Sequence, residues 1–420
     1  MRILWISNSI FPDVCLAINR PIPVSEGWTF GLASLISENQ NIKLAVATIW
    51  NGGEFKEYDI NGVLYYLLPV RNLTGNNTKI LAPFWKDVAK KYQPDLVHIH
   101  GTENTHGIAC MYACPDLKYV ISIQGLISVY SRYFYTGIKS IEIFKNITLR
   151  DLVLMDTIFN GKMKFERQGK IEYEYIKRSK HIIGRTSWDF AHTKTINPGA
   201  EYHFCNEVLR KTFYSAPKWK IAEKVCFSIF ISQAVYPIKG LHQVLKSVAL
   251  LKPKYGNIQV RIAGRHITKT ETLSDKIRLK GYGSYIKKLI RDLNLSENVT
   301  FTGPLSEEEM VDEYRKAHIF ICPSSIENSP NSLAEAQILG TPCIASYVGG
   351  IPDMVVHGET GFMYRFEEVE MLAVYISNLF SDDDLAKRIS SNEISAATER
   401  HNKFHIQEQI IKIYEKIIFS

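Results

Sequence analysis

Two rounds of one pattern run along this chain. Short apolar runs of β character alternate with longer stretches of helical character, and after a break the alternation starts again. In the first round Ile3–Ile6, Leu44–Ala47, Val63–Leu68, Leu96–Ile99, Tyr119–Ile123 and His181–Ile183 read as strands. Gly27–Glu38 and Phe84–Tyr92 read as helices between them. In the second round the strands are Val225–Ile231, Gln259–Ala263, Val299–Phe301, Ile319–Cys322 and Cys343–Ser346. Helices are expected at Gly240–Leu251, Gly283–Leu293, from the Ser306/Glu309 capping box to Ala317, and at Ser332–Leu339. Strands this short and this uniformly apolar are covered on both faces, as in parallel sheets with crossover helices. The fold class is therefore α/β, with two domains that are each doubly wound.

The rhythm lapses near residues 200–225, so the domains are expected at 1–205 and 206–400. A chain of 420 residues is also too long for one hydrophobic core. Residues 401–420 form an amphipathic helix, with Ile406, Ile410, Ile413 and Ile417 on one stripe. Its polar face is not strongly basic, so it reads as a docking helix rather than a membrane-surface one.

Composition excludes several classes. Apolar residues at 45% and charged residues at 22% are ordinary for a globular protein. The apolar run at the N-terminus stops after Ile6, so no signal peptide is expected, and no stretch is long and apolar enough to span a membrane. Seven Cys without a CxxC pair suit a reduced, cytoplasmic chain. The net charge of +7 suits anionic partners, but no recognition motif for nucleic acid accompanies it. Residues 131–180 hold 11 Lys/Arg against 6 Asp/Glu. Solvated helix faces explain that surplus. An anionic membrane surface or a lipid-pyrophosphate acceptor explains it too, given Tyr130, Tyr133, Phe134 and Tyr135 beside Arg132.

Ligands of open α/β sheets sit beyond the C-terminal ends of the strands. After Ile319–Cys322 comes PSSIENSPNSLAEAQILG. Glu327 lies in that loop, and a helix opens near Ser332, behind Pro330. Its first-turn amides and positive dipole end suit a phosphate, and Ser329, Asn331 and Ser332 are small enough for close approach. Glu335 has two readings: a capping box with Ser332, or a ligand contact. Gly349-Gly350 follows the next strand and permits close backbone approach. Lys239 precedes Gly240 at a helix start, an unfavourable place for a cation unless an anion joins it. No DxD stands in a strand-end loop, and Asp382-Asp383-Asp384 reads as helix capping. His98 and His100 share a strand face that zinc could use, but core or cleft roles are the expectation, and no metal is expected.

Taken together, Glu327-(seven residues)-Glu335, Gly349-Gly350, Lys239-Gly240 and the final helix resemble the family-4 retaining glycosyltransferases with the GT-B fold. ENSPNSLAEAQILGTPCIASYVGGIPD and GRTSWDFAHTKTINP (Gly184–Pro198) resemble the bacterial members that build surface polysaccharides. The resemblance covers essentially the whole chain and is strongest over 225–365. It implies two Rossmann-like domains facing across a cleft, with the final helix packing back on the first. It implies a hexosyl transfer from a nucleoside-diphosphate sugar, the donor substrate, with no cofactor. The acceptor would be a growing surface polysaccharide or a lipid-linked glycan, met in the cytoplasm or at the inner face of the membrane. Glu327 would contact the sugar, Glu335 the ribose hydroxyls and Lys239 the diphosphate. Backbone amides of Asn331, Ser332 and Leu333 would hold donor oxygens, with Gly349 and Gly350 alongside. Gly27, followed by Trp28, would approach the donor phosphate and acceptor from the first domain.

Two positions depart from the family. Gln233 stands where an Arg is usual, six residues before Lys239, and supplies no charge. Arg265, after Gln259–Ala263, is the expected replacement. Gln124 stands where many members place a His beside the reacting sugar. A nucleotide-sugar 2-epimerase does not fit the Glu327/Glu335 spacing. The two Gln residues leave a second reading, a catalytically inactive nucleotide-sugar-binding or assembly protein.

Overall fold

The computed structural model describes residues 1–21, 27–72 and 77–420. The chain divides into two compact units, each gathered from separate stretches. Met1–Ser128, Arg167–Arg210 and His401–Ser420 form the first, and Val129–Glu166 with Lys211–Arg400 the second.

The first unit is built on an eight-stranded sheet. Its strands are β1 (Arg2–Ile6), β2 (Lys43–Trp50), β3 (Lys56–Ile60), β4 (Val63–Pro69), β5 (Leu96–His100), β6 (Tyr119–Ser122), β7 (His181–Gly184) and β8 (Glu201–Phe204). The order is β3-β4-β2-β1-β5-β6-β7-β8, parallel throughout except that β3 runs antiparallel to β4. β3 and β8 are absent from the sequence reading. KEYDI and EYHF are partly polar edge strands, and half-solvated edges lack the continuous apolar signal.

The terminal helix Lys403–Phe419 belongs to this unit's core. Its four stripe isoleucines are buried there with Trp5, Leu44 and Leu96. A chain of polar contacts fixes it against the sheet. Trp5 Nε1 donates to the Tyr414 hydroxyl at 2.9 Å. The same hydroxyl lies 2.6 Å from His98 Nδ1 and shares a hydrogen bond with it. His98 Nε2 in turn meets Ser122 Oγ at 2.6 Å. Both ring nitrogens are spent, and His98 serves as a core linker rather than as a zinc ligand. Burial, with His100 beside it, holds its pKa well below the usual histidine value. Among the described residues His181, Glu201 and His203 bring ligand atoms within 4.8 Å of one another, but the Lys416 ammonium already engages Glu201.

The second unit has six parallel strands: β9 (Ser228–Ile231), β10 (Gln259–Ala263), β11 (Val299–Gly303), β12 (Ile319–Cys322), β13 (Cys343–Ser346) and β14 (Phe362–Tyr364). Their order is β11-β10-β9-β12-β13-β14. The chain steps outward from β9 to β11, then crosses back to β12 on the other side of β9. Ile229 pairs with Ile319 and Phe230 with Phe320 across that junction. The strand order reverses there, and open α/β sheets bind ligands beyond the carboxyl ends of the strands at such a reversal. The capping box of Ser306 and Glu309 forms as expected. Asp382 caps the helix Asp383–Arg400 by accepting from the Asp384 and Leu385 amides. β14 is three residues long and follows Gly361, so its sequence reads as a turn.

Residues 129–166 join the second unit, although they precede β7 in the chain. Non-local contacts hold them. Tyr130 accepts from the Asn328 amide at 2.9 Å, and Ser325 Oγ donates to Tyr133 O at 2.9 Å. His242 Nε2 donates to Thr136 O at 3.0 Å. Phe134 is buried. The aromatic group that reads as a membrane edge in the sequence is thus partly turned inward against the β12 loop.

Tyr414→Phe should strand the Trp5 N–H and His98 in a dry core. Unfolding in urea is expected to lose about 1–3 kcal/mol. An unchanged midpoint and slope would contradict the assigned chain of contacts.

Candidate functional site

The site residues of the second unit collect on two loops that leave adjacent strands. After β9 the chain runs through Gln233 to a tight 3-10 turn, Pro237–Lys239, and then to the helix Leu241–Leu251. After β12 it runs from Pro323 to Pro330 and then into the helix Asn331–Leu339. The Ser325 amide donates to Ile238 O at 2.8 Å and ties the two loops together.

Glu327 and Lys239 meet between them. Lys239 Nζ lies 2.6 Å from Glu327 Oε1, and Ser324 Oγ donates to the same oxygen at 2.7 Å. Among the described residues Oε2 of Glu327 takes no hydrogen bond. Glu327 is buried and the Lys239 side chain is 21% exposed. Burial works against the ammonium. The Glu327 carboxylate, with Tyr236 and the hydrogen bond, outweighs it and holds the pKa above the ordinary lysine value. Lys239 is a fixed cation at any working pH, and two of its three donors remain beyond the one given to Glu327. The same carboxylate and burial keep the neighbouring Cys322 thiol protonated, its pKa pushed up to about 12 by burial first.

Two glycines make this geometry possible. Gly240 has φ +69°, and a Cβ there would lie 1.8 Å from Pro323 O. Gly349 has φ +52°, and a Cβ there would lie 1.8 Å from Glu327 O. Gly350 has φ −90°, so it is not a left-handed residue as the Gly-Gly pair suggests. Its amide instead donates to Glu327 O at 3.0 Å. Both members of the pair therefore hold the backbone of Glu327.

The helix Asn331–Leu339 opens on Pro330, with no side-chain cap. Ser332 sits inside the first turn, so the capping box with Glu335 does not form. Glu335 is buried one turn further on, on the face it shares with Asn331. The Leu333 amide is not open to a ligand, because it donates to Pro330 O at 3.0 Å. Of the three amides expected to hold donor oxygens, Leu333 is thereby withdrawn.

Gln233 and Arg265 are exposed at the ends of neighbouring strands β9 and β10. Arg265 lines a cavity of about 630 Å³ with Val235, Tyr236 and Pro237, which lead to Lys239. The cavity wall also carries Lys269, Arg278 and Lys280. Gly27 and Gln124 belong to the first unit. Gly27 opens the helix Gly27–Ser37, whose Trp28 ring lies 6.0 Å from the His100 ring. Gln124 follows β6, and its carbonyl accepts from Arg185 Nη2 at 3.0 Å. Arg185 also bonds Ile123 O at 2.9 Å and pairs with Glu207, so a buried ion pair sets the Gln124 turn. Arg185 and Tyr130 were not singled out as site residues by the sequence. Arg185 lies inside the GRTSWDF stretch, which is its only local signal.

The comparisons with known proteins bear on the second unit first. Residues 215–395 match the family described as "Glycosyl transferases group 1". A D-inositol 3-phosphate glycosyltransferase of Corynebacterium urealyticum is 28% identical over 181 residues, which is 43% of this chain and 41% of that protein. The chain therefore matches about two fifths of that curated relative's length. Over the whole chain, sucrose-phosphate synthase (tll1590) from Thermosynechococcus elongatus superposes with a TM-score of 0.71, at 16% identity and 99% coverage of both. Anabaena Alr3699/HepE, solved in complex with UDP-glucose, gives 0.65 at 15% identity, covering 99% of this chain and 100% of the other. The fold, with its two parallel-sheet domains, is the GT-B fold of glycosyltransferases.

Gly349→Ala and Gly358→Ala both force an L-residue into left-handed geometry, which costs about 1–2 kcal/mol. Only at 349 does a carbonyl block the new Cβ, since nothing lies within 4 Å at 358. Gly349→Ala should unfold at clearly lower urea than Gly358→Ala. Equal midpoints would contradict the close approach at Glu327.

Proposed function

We propose that this chain is a retaining family-4 glycosyltransferase. It transfers a hexosyl group from a nucleoside-diphosphate sugar to a growing surface polysaccharide or a lipid-linked glycan, in the cytoplasm or at the inner face of a membrane. The observation that carries the reading is the Lys239–Glu327 pair at the strand-order reversal, inside the stretch that matches glycosyl transferases group 1.

Each residue then has a chemical task. Glu335 accepts from the ribose hydroxyls. Glu327 uses Oε2 for a sugar hydroxyl while Oε1 stays on Lys239. Lys239 directs its remaining N–H groups at the diphosphate. As the glycosidic bond breaks, negative charge grows on the leaving phosphate. Lys239 and the amides of Asn331 and Ser332 stabilise it, and such preorganised donors are worth about 3 kcal/mol each. Arg265 supplies the cation that Gln233 lacks. Gly27 and Gln124 serve the acceptor side from the first unit, with Gly349 and Gly350 keeping Glu327 in place. The leaving phosphate takes the acceptor's proton on the same face of the sugar, so no covalent enzyme intermediate forms. Glu327 orients the sugar and does not attack it.

The alternative is a nucleotide-sugar-binding assembly protein without turnover. Gln124 favours it, because an amide cannot replace a histidine's charge or proton transfer. Turnover of a donor with its acceptor would remove that alternative.

Calorimetry across UDP-, GDP-, ADP- and dTDP-sugars, with wild type and Glu335→Ala, tests the donor assignment. One nucleotide class should bind wild type and weaken at least about tenfold in the variant, the loss of one good hydrogen-bonded carboxylate. A folded protein that binds none of them, or a variant that binds as well as wild type, would contradict it.

A further inference from the structure

The helix Leu149–Val153 in the second unit is built inside out. Its acid is buried, with Asp151 at 0% exposure, while Leu149 is 82% exposed and Val153 79%. Leu152, Leu154 and Met155 are exposed as well, so four large apolar residues in a row, 152–155, face solvent. Globular surfaces do scatter single apolar residues, but not runs of this kind.

The inversion is anchored. Asp151 Oδ2 accepts from Gly281 N at 2.7 Å and from Thr148 N at 3.2 Å. Thr148 Oγ1 donates to Leu279 O at 3.0 Å. Asp156 pairs with Arg150 and Lys280, both at 2.8 Å. The polar underside is bonded into the unit, so the apolar side is held outward. The neighbouring helix Leu273–Arg278 repeats the arrangement. It has no buried residue, and Leu273 is 78% and Ile277 70% exposed. The two helices pack side by side. Ile141 and Phe144 extend the apolar ground on the helix before them.

Charge identifies what covers this face. Residues 267–291 carry seven Lys/Arg against two Asp/Glu. Of the two acids, Asp275 is bound in the Thr272 capping box and Glu271 pairs with Lys269. Lys276, Arg278, Lys139 and Lys145 are exposed around the apolar ground. Two copies meeting face to face would bring these basic rims together, which opposes self-association. An anionic bilayer meets both features at once. Aliphatic side chains enter the boundary of the acyl region while lysines reach lipid phosphates. No helix among the described residues is long and apolar enough to cross a membrane, so the contact is interfacial.

We infer that this knuckle, Leu149–Met155 with Leu273 and Ile277, docks the protein on an anionic lipid surface. The inference draws on burial and charge, not on donor chemistry, so it and the proposed function fail separately. The test is flotation of the full chain with phosphatidylglycerol/phosphatidylcholine vesicles and with pure phosphatidylcholine vesicles. Wild type should float with the anionic vesicles only. Leu152→Glu with Val153→Glu should cut the bound fraction's partition coefficient at least about tenfold, the loss of two buried aliphatic side chains. Both positions are exposed, so the variant should fold, and its affinity for the donor nucleotide should match wild type. No flotation of wild type, equal flotation with neutral vesicles, or flotation unchanged by the substitutions would each overturn the inference. So would a wild-type dimer that the double substitution splits into monomers.

Discussion

A lysine and a glutamate 2.6 Å apart, with the carboxylate largely out of water, constrain everything around them. Removing one partner of a buried pair strands the other, at about 3–5 kcal/mol. The second unit is arranged so that both stay in place. The reversal of strand order brings the β9 and β12 loops side by side. Gly240 and Gly349 let two carbonyls come closer than any side chain would allow. Ser324 shares the carboxylate oxygen with Lys239, and Tyr130 holds the next backbone amide from outside. The pair is thus a product of topology, two backbone approaches and a strap from a distant stretch of chain.

Much of this was legible in the residues, for physical reasons. β9, β10, β12 and β13 are buried strands whose apolar runs announce themselves. Glu327, Glu335, Lys239 and Gly349 stand at strand ends and helix starts, where the sheet rule directs attention. Other features were hidden by non-local causes. Pro330 starts the helix before Ser332, so a sequence that spells a capping box does not make one. The attachment of residues 129–166 to the second unit depends on contacts such as Tyr130 with Asn328, 198 positions apart. Nothing local separates an aromatic residue that braces a loop from one that meets a membrane. Burial decides it: Phe134 is buried, while Leu149 and Val153 further along the same stretch are exposed.

The first unit shows the same economy with a different core. Its final helix is tied to β1, β5 and β6 by one relay from Trp5 through Tyr414 and His98 to Ser122. That relay accounts for His98, one of the two histidines on β5, as a core linker. At the far ends of β6 and β7, Arg185 and Glu207 fix the turn that carries Gln124. A catalytic contribution from Gln124 therefore rests on hydrogen bonding, in a turn whose backbone is set by a buried cation.

The central claim is that Lys239, held by Glu327, is the diphosphate site. It is tested most directly with Lys239→Met combined with Glu327→Gln, a variant that leaves no buried charge unpaired. Calorimetry would compare its affinity for the nucleoside and for the nucleoside diphosphate with that of wild type. The account predicts that the diphosphate's advantage over the nucleoside shrinks at least about tenfold, as expected for losing a charge-assisted contact, while nucleoside binding persists through Glu335. A doubly neutral variant that keeps the full diphosphate advantage would contradict it.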